Sequence, residues 1–112
     1  MRIAIPVTDG KLDPHFGHCR NFSLIDVDRE QKIILNSETV DGPAHEPGVL
    51  PAWLAEQGVD LVLAGGMGTR AIQILVEHGI GVIVGVPSRE PEVLIQNYFA
   101  GEIRKGTNAC DH

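Results

Sequence analysis

The segment Asp13-Pro14-His15-Phe16-Gly17-His18-Cys19 gathers two imidazoles and a thiol within five residues. Asp13 suits a helix N-cap and Pro14 a first helical position. In such a turn His15, His18 and Cys19 stand at i, i+3 and i+4 and project to one side. If the segment unwinds instead, Gly17 can take a positive φ and the groups still converge. Two imidazole nitrogens and a thiolate form a borderline-to-soft donor set. Such a set suits iron–sulfur units, zinc, copper and other thiophilic metals better than magnesium or calcium. The spacing matches no closed zinc pattern. The plainer alternative is that Phe16 and Cys19 plug the core beneath a loop whose histidines are solvated.

Three further donors are scattered. His45 lies in the turn-rich Asp41-Gly42-Pro43-Ala44-His45-Glu46-Pro47-Gly48, and Cys110 and His112 stand two apart in Asn108-Ala109-Cys110-Asp111-His112. His45 reaches the first segment only if both loops leave the same end of a sheet; otherwise it is a solvated loop residue. Cys110 and His112 complete a metal site only if the tail folds back as a lid, whereas terminal residues usually fray. His78, near a helix end, reads as structural and as favoured there in its cationic form by the helix dipole.

Gly65-Gly66-Met67-Gly68-Thr69-Arg70 is the second chemical candidate. Glycines allow close backbone approach, and amides at the start of a following helix can hold an anion. Arg70 adds a charge-assisted contact. The run is neither a P-loop nor Gly-x-Gly-x-x-Gly. A tight strand-to-helix turn explains it equally well, and core packing explains Met67.

Catalysis is disfavoured. The first strand carries no acid, Asp9 and Asp60 sit at strand edges without evident partners, and no Ser/His/Asp or Cys/His/Asn set can be assembled. A two-metal nuclease would need several convergent carboxylates.

These groups must be held by a small fold. Ile3–Val7, Phe22–Val27 and Lys32–Val40 read as strands, the last two joined as an antiparallel hairpin by the polar turn Asp28–Gln31. A helix follows through Leu50, Trp53 and Leu54 to about Gln57, with Pro51 in its first turn and Gly58 as its stop. Asp60–Ala64 reads as a buried strand and Thr69 to about His78 as a helix burying Ala71, Ile72 and Leu75. Ile80–Val84 reads as another strand. Pro91 opens a last helix through about Ala100, with Leu94, Ile95, Tyr98 and Phe99 toward the core. The order β-β-β-α-β-α-β-α, with right-handed crossovers, predicts an α/β fold. Its five-stranded mixed sheet would be flanked by helices in a ribonuclease H-like topology.

With 112 residues the chain suits one domain, predicted over 1–105, with 106–112 as a mobile tail. Nine basic against fifteen acidic residues, a formal charge of −6, disfavour nucleic acid as a partner. No apolar run approaches the ~20 residues that span a bilayer, and no signal sequence follows Met1. The expectation is therefore a cytoplasmic protein that binds no membrane. Its two cysteines, Cys19 and Cys110, would be free thiols there.

The opening Ile3-Ala4-Ile5-Pro6-Val7, then His15-Phe16-Gly17-His18-Cys19, Gly65-Gly66-Met67-Gly68-Thr69-Arg70-Ala71 and the ending Asn108–His112 occur in this order. In that arrangement the chain resembles the dinitrogenase iron–molybdenum cofactor biosynthesis family. That family comprises NifX-like and NafY-like carriers and the C-terminal domain of NifB-like proteins. The resemblance covers nearly the whole chain. It implies binding of iron–molybdenum cofactor or a precursor cluster, of iron–sulfur or molybdenum–copper sulfide type, and no catalytic activity. The Cys-x-x-x-Cys-x-x-Cys set of a radical-SAM domain is absent.

The leading expectation is a small carrier or scaffold for such a cluster. Its metal donors would be His15, His18 and Cys19, with His45, Cys110 and His112 in support, and its partners would be cluster donor or acceptor proteins. Gly65, Gly66, Met67, Gly68, Thr69 and Arg70 would cradle the cargo, and the chain would be a monomer or weak homo-oligomer. The alternative is a metal-free regulatory module that binds a small anion or nucleotide at Gly65–Arg70.

Overall fold

The computed structural model describes residues 1–14, 16, 21–43 and 48–103. Six strands and three helices follow in the order β1 (Arg2–Thr8), β2 (Lys11–Leu12), β3 (Asn21–Asp28), β4 (Ile33–Asp41), α1 (Val49–Glu56), β5 (Leu61–Leu63), α2 (Thr69–Glu77), β6 (Gly81–Ile83) and α3 (Pro91–Phe99). One mixed sheet runs β4-β3-β1-β5-β6, with β2 paired to β1. β1, β3 and β4 are antiparallel neighbours, while β5 and β6 run parallel to β1. Apart from the two-residue β2, this is the predicted ribonuclease H-like order.

Period-2 alternation divides the sheet between two cores. Ala4, Phe22, Leu24 and Val62 face α1 and α2, meeting Leu54 and Leu75. Ile3, Ile5, Ile25 and Leu63 face α3, meeting Leu94 and Ile95. A strand buried on both faces reads as a continuous apolar run, which is why Ile3-Ala4-Ile5-Pro6-Val7 stands out in the sequence. The edge strand β4 buries almost nothing; only Ile34 and Val40 are half-buried.

Pro6 occupies a strand with neighbours on both sides, a place proline usually avoids. Its carbonyl accepts a hydrogen bond from the Asp13 amide at 2.8 Å, so that edge of Pro6 faces away from β3. There β1 changes neighbour from β5, at Ile3 and Ala4, to β2, at Val7 and Thr8. The missing N–H falls at this change of partner, and no ladder bond to β3 is lost.

The topology defines a rim. Parallel strands β1, β5 and β6 all finish at one end of the sheet, where β3 begins at Asn21 opposite Val7 and β4 ends at Asp41 opposite Asn21. The loops after Leu12, Asp41, Leu63 and Ile83 therefore leave from the same end. The other end holds Met1 and the C-terminal turn of α3, where the Tyr98 hydroxyl lies 3.9 Å from Met1 Sδ.

Candidate functional site

The glycine turn forms at the rim as the strand-to-helix link between β5 and α2. Gly66 and Met67 are buried, and Gly68, Thr69 and Arg70 are exposed. The Met67 side chain packs in the core with Phe16 and Phe22, as the packing alternative required. Gly68 is the N-cap of α2, extended at φ −65° and ψ 149°, and as a glycine offers the helix no side-chain cap. Amides of the first turn thus face the rim without a side-chain oxygen from the cap. Arg70 makes no hydrogen bond or ion pair among the described residues.

Gly65 is where the turn meets the first chemical segment. A Cβ there would come 3.2 Å from the Pro14 Cα and 3.5 Å from the Leu12 Cδ2 and the Pro14 carbonyl oxygen. Backbone therefore packs on backbone, an approach that a glycine accommodates and that any side chain would crowd. Asp13 is fixed alongside by its amide on the Pro6 carbonyl and by its Oδ2, which accepts from the Thr8 hydroxyl at 2.8 Å. Phe16 is buried edge-on against Phe22, centroids 6.2 Å apart at 75°, and so anchors the middle of the segment. The plug role proposed for Phe16 is what it performs.

His15, His18, Cys19, His45, Cys110 and His112 all lie outside the described residues, as does the tail 106–112. Their described neighbours Pro14, Phe16, Asn21, Gly42 and Gly48 flank the first two loops. Ile103 packs on the core beneath α3 with Tyr98 and Phe99, so the chain leads into the C-terminal segment from the Met1 end. His78 is exposed at the C-cap of α2, where its Nδ1 donates to the Ile74 carbonyl at 2.8 Å.

One segment of the rim was not singled out in the sequence. The stretch after β6 closes the turn from the other side: Gly85 N donates to Gly65 O at 2.9 Å, and Leu12 N donates to Arg89 O at 3.0 Å. The Ser88 hydroxyl donates to Leu12 O at 2.6 Å. Arg89 itself is exposed, which adds a further cation to the rim. The available signal was Gly85-Val86-Pro87 directly after an apolar strand, since ligands in open α/β sheets gather beyond the carboxyl ends of parallel strands. Asp60 lies at the end remote from the rim, where its Oδ2 accepts from the Arg2 amide at 2.8 Å.

Comparison with known proteins gives a consistent picture. Over 87 residues, 73% of this chain and 72% of the other, the sequence is 31% identical to the uncharacterized protein MJ0580 of Methanocaldococcus jannaschii. The crystal structure of PH0822 superposes with a TM-score of 0.85 at 32% identity, covering 94% of each chain. The apo form of the orange protein from Desulfovibrio gigas superposes with a TM-score of 0.74 at 27% identity, over 96% of this chain and 93% of that one. Residues 1–101 match the family described as dinitrogenase iron–molybdenum cofactor. The chain belongs to that family, which associates it with the biosynthesis or binding of iron–molybdenum cofactor.

Proposed function

We propose that this protein is a carrier or scaffold, without catalytic activity of its own, for an iron–sulfur or molybdenum-containing cluster or its precursor. The observation that supports this most is the backbone contact between Gly65 and Pro14, at 3.2 Å from an added Cβ. It sets the start of the donor-rich segment against the turn whose amides and Arg70 suit a negatively charged cargo. His15, His18 and Cys19 are the ligands or near-ligands in this reading, with His45, Cys110 and His112 secondary. The Gly65–Gly68 backbone, Thr69 and Arg70 neutralise the cargo's charge, and Arg89 adds to them. Residues 1–105 act as one cluster-binding unit. The chain exchanges its cargo with donor and acceptor proteins in the cytoplasm. Ligands on loops rather than on strands favour release as well as capture.

Anaerobic reconstitution with iron, sulfide and molybdate sources tests this reading by absorption spectroscopy. The expected result is a charge-transfer band that a His15→Ala/His18→Ala/Cys19→Ala variant lacks. No band, or the same band from the triple variant, rejects the site. The glycine N-cap of α2, which supplies no side-chain oxygen of its own, also favours a second reading, a metal-free module for a small anion or nucleotide. In that case Cys19→Ala leaves binding intact and Arg70→Ala weakens it.

A further inference from the structure

The sheet face beneath α3 is only partly covered. Leu94 and Ile95 close its middle, but toward the rim a groove of about 420 Å³ remains between the first turn of α3 and strands β3 and β4. That volume lies within the roughly 300–1,000 Å³ of small-ligand clefts. Its floor is polar: Ser23 stands opposite Thr39, and Ser37 is two residues back on the same face. Its mouth is acidic, with Asp9 from the β1–β2 turn and Glu90 and Glu92 from the start of α3.

Ser23 is 4% exposed, the one buried polar residue among the described residues. Its hydroxyl hydrogen-bonds to none of them. No enclosed side-chain oxygen is left without a partner, so this hydroxyl opens into the groove that it lines. A buried hydroxyl that lacks a protein partner needs one from elsewhere. The charge at the mouth is only partly neutralised by protein. Lys11 stands 3.9 Å from Glu90, while Asp9 and Glu92 form no ion pair among the described residues. No three His, Cys, Asp or Glu side chains of the described residues converge tightly enough to hold a metal ion. Separated carboxylates above hydroxyl acceptors fit a cation with several N–H donors spread over its surface.

We propose that this groove binds a small organic cation, its guanidinium or ammonium group held between Asp9 and Glu92 over the hydroxyls of Ser23, Ser37 and Thr39. The site lies on the sheet face opposite α1 and α2 and is independent of the cluster reading. The cation is either a free amine or the basic side chain of a partner, and two probes separate these sources: agmatine and a blocked tripeptide with a central arginine.

Each probe is titrated into the full chain and followed by amide ¹H–¹⁵N spectra. At least one should shift Ser23, Ser37, Thr39 and Glu92 saturably, with a Kd of about 1 mM or tighter. Binding by agmatine alone identifies a free amine, and tighter binding of the peptide identifies a partner's side chain. The D9N/E92Q variant should raise the Kd about tenfold or more, and Ser23→Ala should weaken binding severalfold. Glu77→Gln, an exposed acid on α2, should leave the Kd within a factor of about two. The remaining resonances report whether each variant is folded. Absence of saturable shifts with both probes, or equal losses in D9N/E92Q and Glu77→Gln, overturns the proposal.

Discussion

The two ends of the sheet are built by different means. At the Met1 end, side chains are engaged with one another and with the backbone. Arg2 Nε and Nη2 donate to the two oxygens of Asp26 at 2.8 and 3.2 Å, and Nη1 donates to the Gln57 carbonyl at 2.8 Å. Asp60 accepts from the Arg2 amide. At the rim, main-chain bonds carry most of the closure, Gly85 to Gly65, Leu12 to Arg89 and Asp13 to Pro6. Arg70 and Arg89 there form no ion pair among the described residues. One end ties the Arg2 side chain to Asp26 and Gln57; the other fixes its loops mainly through backbone and leaves Arg70 and Arg89 without an ion pair among the described residues.

Substitutions at the two ends can break this contrast. The largest effect belongs to Gly65→Ala. Its Cβ would stand 3.2 Å from a main-chain atom of Pro14 that cannot swing aside, a clash expected to cost about 1–3 kcal/mol. It would be read as a lower urea midpoint at unchanged slope. Arg2→Ala should cost about 1–2 kcal/mol, because it strips a bidentate pair and a carbonyl bond from a partly buried position. Arg89→Ala at the rim should stay within about 0.5 kcal/mol. If Arg89→Ala cost as much as Arg2→Ala, the two ends would not differ as described.

Acid titration sharpens the comparison. The hydrogen bond from Arg2 holds the Asp26 carboxyl below its ordinary value of 3.8, against the opposing effect of burial. A carboxylate depressed in the folded state contributes its full stability above the unfolded value. It loses that contribution as pH falls through the folded one. The stability gap between the parent and Arg2→Met should therefore be constant near neutrality and narrow below about pH 4. The narrowing should be less than about 1 kcal/mol for this partly exposed pair. A gap that widens with acid would remove Arg2 as the cause. The smallest effect is Gly68→Ala. A Cβ there meets nothing within 4 Å, and unfolded-state entropy offsets the weaker cap to within about 0.5 kcal/mol. Gly65 and Gly68, three residues apart, should thus separate a glycine required by contact from one that is not.

Much of this architecture was legible in the residues. Strands and helices announced themselves where apolar side chains repeat at intervals of two or of three and four, and Gly58, Gly79 and Gly101 marked helix ends with positive φ. The ordering of a hairpin before two crossovers fixed the sheet. The rim was legible only in part. Gly65 could be suspected, but its partner Pro14 lies 51 residues earlier in the numbering, and no local pattern encodes so distant a contact. The Val84–Glu90 stretch was missed for the same reason: its bonds to Gly65 and Leu12 come from tertiary neighbours. The bond from the Arg2 amide to Asp60 was not legible either, because every residue but proline offers a backbone amide and no side-chain motif reveals which one is used.

The exposed margin formed by β4 has a colloidal consequence. Nine residues long, it pairs with no strand other than β3 among the described residues, and it carries Ile33 and Leu35, 42% and 62% exposed. Such margins recruit further strands unless something repels them. Here repulsion comes from Glu38 and Asp41 on the strand and from the formal charge of −6 on every copy. Electrolyte shortens the reach of that repulsion to about 8 Å at physiological ionic strength. Mutual avoidance among molecules of this protein is therefore a property of its solvent as much as of its sequence.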